Sequence, residues 1–180
     1  MSTPQLANLI ARSITRAVND AHDRQTAQVE VTKDELLDDV PRYQNYGSTS
    51  KPPAKGTDCI MIFPGGDREQ GVIIAMENRQ FRLTNLADGE VALYDDLGNV
   101  FKLGRAQVEL TAVTKAVVTA PIVQVTAATS ATIASGASSI QITPAGVAIT
   151  SLTLTHNGKN IGATHQHLNS GGSGTGGIPV

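Results

Sequence analysis

Residues 116–158 contain no Asp, Glu, Lys or Arg. Ala, Val, Ile, Thr and Ser dominate these 43 positions. Apolar and hydroxyl residues alternate over 122–126, 140–143, 147–150 and 152–155. β-branched residues at a period of two predict strand and argue against helix. Ser135-Gly136-Ala137 and Pro144-Ala145-Gly146 read as turns. Strands this poor in charge aggregate if their edges stay open, and side chains this small cannot fill a barrel or sandwich alone. Three identical chains wound about one axis meet both constraints. Each strand then pairs with a neighbouring chain, Val, Ile and Leu fill a thin central column, and hydroxyls face water. Residues 106–161 are therefore expected to form a rod, an intertwined triple-stranded β-helix built by a homotrimer. A disordered Ala/Thr/Ser tail is the competing reading, and the regular β-branched alternation argues against it.

The rest of the 180-residue chain has room for one or two small domains. All six aromatic residues fall between Tyr43 and Phe101, and the last 79 residues have none. A conventional core leans on aromatic area, so a compact domain belongs in the middle of the chain. The formal net charge of −2 gives no basic surplus, and nucleic acid is not expected as a partner. The single cysteine, Cys59, excludes an intrachain disulfide framework. No apolar run reaches the roughly 18 residues of a membrane span. Charged residues from Arg12 to Arg24 interrupt any signal-peptide core, so synthesis and folding in the cytoplasm are expected.

Residues 4–21 read as an amphipathic helix. Leu6, Leu9, Ile10, Ile14, Ala17, Val18 and Ala21 follow the spacing of one apolar helical face, with Arg12, Arg16, Asn19 and Asp20 opposite. Residues 1–25 are expected to form a helix that packs on its own domain or docks on a partner. From 26 to 105 the pattern changes to short strands: 27–31, 59–63, 71–75, 90–94 and 100–103. Asp95-Asp96-Leu97-Gly98-Asn99 reads as a hairpin turn. The acidic stretch 34–39 and the Pro/Ser/Lys stretch 48–55 read as surface loops. Five or six such strands suggest a barrel of the oligonucleotide/oligosaccharide-binding (OB) size. Scattered basic residues and few aromatics speak against a single-strand nucleic-acid groove.

His165-Gln166-His167 is the one motif with metal chemistry. In extended chain, residues i and i+2 point to one side. Neutral imidazole is a common ligand for divalent transition metals. One such pair cannot complete a metal shell, whereas three symmetry-related copies supply six nitrogens. A polar surface pair is the plainer reading. Five glycines between Gly171 and Gly177 follow, as a linker or as backbone threading a space that only glycine fits.

The order of parts, a helix, a small barrel, a charge-free rod, His-x-His and a glycine-rich end, resembles the central spike of contractile phage tails. This is the baseplate assembly protein V family, which includes the Mu-type and P2-type spikes. The resemblance rests on residues 89–95 (Gly-Glu-Val-Ala-Leu-Tyr-Asp) with Gly98-Asn99, and on His165 and His167 before a Gly/Ser/Thr run and Pro179. It implies a homotrimer whose apex, residues 162–180, holds one iron ion per trimer through His165 and His167. It also implies a baseplate hub protein as partner, the host outer membrane as target, a place in the virion at the tail baseplate tip, and no small-molecule substrate. His156 receives no ligand role.

Two functions of different class fit this organisation. One is mechanical: a rigid trimer that pierces the outer membrane on tail contraction. The other is an attachment module that binds an envelope saccharide or protein. A metalloenzyme would need an acid or base near the metal, and no Asp or Glu follows Lys115.

Overall fold

The computed structural model describes residues 9–166. The architecture is all-β, with antiparallel sheets, two single-turn 3₁₀ segments and no α-helix among the described residues. The chain divides into two compact units, Met1–Val117 and Val118–Val180.

In the first unit, β1 (Ile10–Asn19), β2 (Thr26–Thr32), β3 (Glu35–Pro41), β4 (Asp58–Ile62) and β5 (Val72–Glu77) form one sheet in the order β3-β2-β1-β4-β5. Ala27, Val29, Val40, Cys59, Met61, Phe63 and Ile73 turn inward and form the core. The two outer strands approach each other at one point. Arg42 makes a parallel bridge with Ile73, and the Tyr43 N–H donates to the Ile73 carbonyl over 3.0 Å. The Arg42 guanidinium ties down the long loop that follows β3. It donates to Gln25 Oε1 and to the Ser50 carbonyl, each at 2.7 Å, and to Ser50 Oγ at 2.9 Å.

The expected N-terminal helix is not formed: residues 10–19 are the central strand of this sheet. β1 pairs with β4 on one edge and β2 on the other. Ala11, Ser13 and Thr15 turn towards the core, and Ile10, Arg12 and Ile14 turn out. A register shift between Thr15 and Ala17 then resets the alternation, so Val18 returns to the inner side. An extra residue in one strand is the signature of a bulge. Ile10 and Ile14 on one face and Val18 on the other, with a bulge between, imitate the three-and-four spacing of a helix. The buried Thr15 anchors the bulge. Its N–H donates to the Thr57 carbonyl at 2.9 Å, and its Oγ1 accepts from the Thr57 N–H at 3.1 Å.

The acidic stretch expected as a loop is largely β3. Leu37 and Val40 supply its inward contacts, and register shifts against β2 absorb the Asp38-Asp39 pair, where Asp39 has φ 55°. The charge that suggested a loop serves as protection on an outer strand. The stretch 48–55 is a loop, as expected.

Residues 89–103 do not join the five-stranded sheet. β6 (Val91–Tyr94), β7 (Val100–Leu103) and β8 (Val108–Thr111) form a separate meander. Asp95 builds the expected β6–β7 turn: its carboxylate accepts the Leu97 and Asn99 N–H groups at 3.0 and 2.9 Å and the Asn99 amide at 2.6 Å.

In the second unit, β9 (Ala131–Ser135), β10 (Ser138–Thr143) and β11 (Gly146–Thr150) form a three-stranded antiparallel sheet, joined by the two turns expected at Gly136 and Pro144. These strands pair within one chain. Residues 122–126, expected as a strand, carry none. β12 (Thr155–His156) and β13 (Lys159–Asn160) form a short hairpin over Asn157-Gly158. Both turn residues have positive φ, 49° and 76°, the conformation that selects Asn-Gly in a two-residue hairpin.

Gly71 enters β5 beneath the core. A Cβ there would lie 2.9 Å from both Met61 Cε and Phe63 Cε1. Gly71→Ala is expected to lower the unfolding free energy by about 1–3 kcal/mol through overpacking. Urea denaturation should show a lower midpoint with an unchanged slope. An unchanged midpoint would show that the core has slack at this point.

Candidate functional site

His165 lies in a turn that leaves the β12–β13 hairpin. The Ile161 N–H donates to the Leu154 carbonyl at 2.8 Å, which keeps the hairpin closed beyond β13. The chain then folds back on Asn160. Asn160 Oδ1 accepts the Gly162 N–H, and Asn160 Nδ2 donates to Thr164 Oγ1, both at 2.9 Å. The Gly162 carbonyl accepts twice from one residue: from the His165 N–H at 3.0 Å and from His165 Nδ1 at 2.7 Å. A carbonyl only accepts, so Nδ1 is the donor in this contact. A backbone carbonyl on one ring nitrogen is how metal-ligating histidines are commonly oriented. The ring is half-buried. His167, the second expected ligand, lies outside the described residues. Among the described residues, no group of three or more His, Cys, Asp or Glu side chains is placed to hold a metal ion. Of the two expected ligands, the described residues therefore place His165 and its contacts with the Gly162 backbone.

Each unit also leaves an apolar sheet face open. In the first unit the register sets Val91 beside Leu103, Leu93 beside Phe101, Phe101 beside Leu110, and Leu103 beside Val108. All six lie on one face and are exposed, Leu93 by 71% and Leu110 by 66%. In the second unit Ile133, Ile140 and Ile149 line up across three strands, with Ile142 and Val147 beside them. These five are exposed as well. The opposite face of that sheet carries Ser139, Gln141, Thr132 and Thr150. Contiguous apolar faces of this kind mark interaction surfaces. The sequence contained the signal for the first face, Val91/Leu93, Phe101/Leu103 and Val108/Leu110 at a period of two, but only the register shows that it is one surface.

Five basic side chains of the first unit are engaged by carboxylates: Arg16 with Glu30, Arg68 with Glu35, Arg79 with Asp58, Arg82 with Glu77 and Lys102 with Glu90. Cys59 is buried in the core, and burial pushes its thiol up to about 11. It is a packed side chain in the protonated form at neutral pH, the opposite of an activated nucleophile.

The N-terminal region of bacteriophage Mu Gp45 is the family description that matches this chain, over residues 12–80. That span runs from β1 through the end of β5, so the matched stretch is the five-stranded sheet. The chain is 35% identical over 95 residues to the baseplate puncturing device gp45 of Escherichia phage Mu, covering 53% of this chain and 48% of that protein. It is also 35% identical over 95 residues to the Mu-like prophage FluMu protein gp45 of Haemophilus influenzae, covering 53% and 51%. The match thus spans about half the length of each relative. The resemblance to the Mu-type spike drawn from the sequence is met by these matches. The family match rests on β1 to β5, whereas the resemblance in sequence rests on the order of parts along the chain, and its most specific pieces, residues 89–99 and the histidines, lie outside 12–80.

The raised Cys59 value fixes the sign of a pH effect. Between about pH 9 and 11 an unfolded chain has released the thiol proton and the folded chain still holds it. Stability is therefore fully present below pH 9 and is lost as pH rises towards 11. Urea midpoints of the wild type are expected to fall more steeply over this range than those of Cys59→Ala. Parallel profiles would show that the thiol ionises as freely folded as unfolded.

Proposed function

We propose that this chain is the spike subunit of a Mu-like contractile tail, a homotrimer at the baseplate tip that punctures the host outer membrane. The observation that carries the reading is the uncovered apolar face in each unit. A second and third copy are the simplest cover for surfaces that the chain's own described residues leave open. The relative from Escherichia phage Mu supports the reading, since it is a baseplate puncturing device.

In this reading the five-stranded sheet, order β3-β2-β1-β4-β5, closes into an OB-like barrel. The parallel bridge between Arg42 and Ile73 supports closure, because it joins the two outer strands. The barrel then spans β1 to β5, and the N-terminal unit meets the baseplate hub. The ion-paired basic residues support a surface that does not read nucleic acid. The strands from β9 onward belong to a triple-stranded β-helical rod. There Ile133, Ile140, Ile142, Val147 and Ile149 face the trimer axis, and Ser, Thr and Gln face water.

The apex would hold one iron ion per trimer through His165 and His167 of each chain. Iron is the metal that the family resemblance implies. Bound there, the ion cross-links three chain ends that would otherwise fray. The protein's own part is mechanical: it would supply the imidazoles and keep the strands paired. No acid, base or nucleophile is assigned, and the chain acts without catalysis.

Light scattering on the purified protein is expected to give a mass of three chains. Phe101→Asp combined with Ile140→Asp puts a carboxylate on each apolar face, and burying an unpaired charge is costly enough to break assembly. That variant is expected to run as a smaller species at micromolar concentration. A compact monomer for the wild type would sink the trimer. His165→Ala with His167→Ala is expected to abolish bound iron by elemental analysis and leave the trimer intact. Stacked units are stabilised mainly by their neighbours, so protease protection should persist up to about residue 161. Wild-type iron content in that variant would overturn the apex clamp.

A further inference from the structure

We infer that Asn157, in the turn of the β12–β13 hairpin, is a site of spontaneous deamidation. Asn157-Gly158 is the one Asn-Gly step in the sequence, and both residues are exposed. A Cβ built on Gly158 would meet nothing within 4 Å, so no neighbour shields that side of the turn. Among the described residues nothing accepts a hydrogen bond from the Gly158 N–H. The Asn157 amide has one contact, Nδ2 with His156 Nε2 at 3.2 Å. Other asparagines are held at both ends of the amide. Asn78 joins Thr57 Oγ1 and the Gln80 N–H. Asn99 joins Asp95 Oδ2 and the Val113 N–H. Asn160 joins Thr164 Oγ1 and the Gly162 N–H. Each of these three also precedes a larger residue, Arg79, Val100 or Ile161, which crowds the next peptide nitrogen. Glycine removes that crowding at Asn157.

The chemistry needs only water. The Gly158 nitrogen loses its proton and attacks Asn157 Cγ. The new Cγ–N bond closes a cyclic imide, the Cγ–Nδ2 bond breaks, and Nδ2 leaves as ammonia with one added proton. Water then opens the imide. Attack at Cγ gives Asp, and attack at the backbone carbonyl carbon gives isoaspartate, with the chain running through the former side chain. Ring closure requires the turn to open. β12 and β13 have two residues each, and so short a pairing is marginal alone and opens locally at low cost. Residues 116–158 hold no acidic side chain, so conversion sets a carboxylate between His156 and Lys159 in a stretch that had none. Isoaspartate also adds a methylene to the backbone of a two-residue turn, which breaks the register of Thr155 with Asn160 and His156 with Lys159. None of this depends on the spike reading above.

The test uses the full-length protein, held warm in mildly alkaline buffer and sampled over time. Peptide mass spectrometry is expected to show the exchange of NH for O at Asn157 ahead of Asn78, Asn99 and Asn160, with isoaspartate in excess of Asp. Gly158→Ala places a Cβ beside the attacking nitrogen and is expected to slow the exchange. Its melting temperature separates a blocked reaction from a changed fold, and the wild-type time course carries the test if that variant does not fold. Trypsin is expected to cleave after Lys159 faster in aged wild type than in fresh, with no such gain in Gly158→Ala. Asn157 still intact after the other asparagines have exchanged overturns the inference. So does a folded Gly158→Ala that exchanges at the wild-type rate. Equal cleavage of fresh and converted protein overturns the predicted loss of hairpin pairing.

Discussion

The structure depends on apolar sheet faces that one chain leaves uncovered. Ile133, Ile140, Ile142, Val147 and Ile149 share a face in the second unit, and Val91, Leu93, Phe101, Leu103, Val108 and Leu110 share one in the first. Burying such area is worth roughly 25 cal/mol per Å², and exposing it invites aggregation. The sequence manages this in two ways. In the first unit, carboxylates pair with arginine and lysine side chains. In the second, hydroxyl and amide side chains occupy the reverse face without charge. A face that is greasy on one side and neutral-polar on the other suits self-association about an axis, where like charges from identical chains would meet and repel.

The five-stranded sheet is organised by β1, and β1 is the element that sequence periodicity misplaces. A central strand hydrogen-bonds on both edges, so removing it leaves β2 and β4 each with an open edge. The bulge at Thr15–Ala17 gives a second fixed point, because Thr15 and Thr57 exchange hydrogen bonds in the interior. Buried polar groups are tolerated where they are paired, and here the pair locks register. The family match over residues 12–80 covers this sheet.

Several elements were legible as short runs: β2, β4, β5, β6, β7, β10 and β11 each fall on an apolar or alternating run. The charge-free stretch correctly gave strands with turns at Gly136 and Pro144. β1 was illegible because a bulge shifts phase by one residue, which turns a strand pattern into an apparent helical one. β3 was illegible because its charges suit an outer strand and a loop equally. The separation of β6–β8 from the larger sheet could not be read either, since it is decided by which strands pair and not by where strands occur. For the His165/His167 pair, the sequence supplied the histidines but not the contacts of Asn160 and Gly162 before His165, which depend on a turn with no residue signature.

The two described histidines of the second unit show how local hydrogen bonding divides identical side chains into different roles. At His156, Nε2 faces the Asn157 amide nitrogen at 3.2 Å. An amide nitrogen only donates, so Nε2 accepts and its lone pair is committed to the hairpin turn. At His165 the backbone carbonyl of Gly162 meets Nδ1 instead. There the engaged nitrogen is the donor. His156 is exposed and His165 is half-buried. What differs between the two is the ring nitrogen that the neighbouring turn engages: Nε2 by the Asn157 amide in one, Nδ1 by the Gly162 carbonyl in the next.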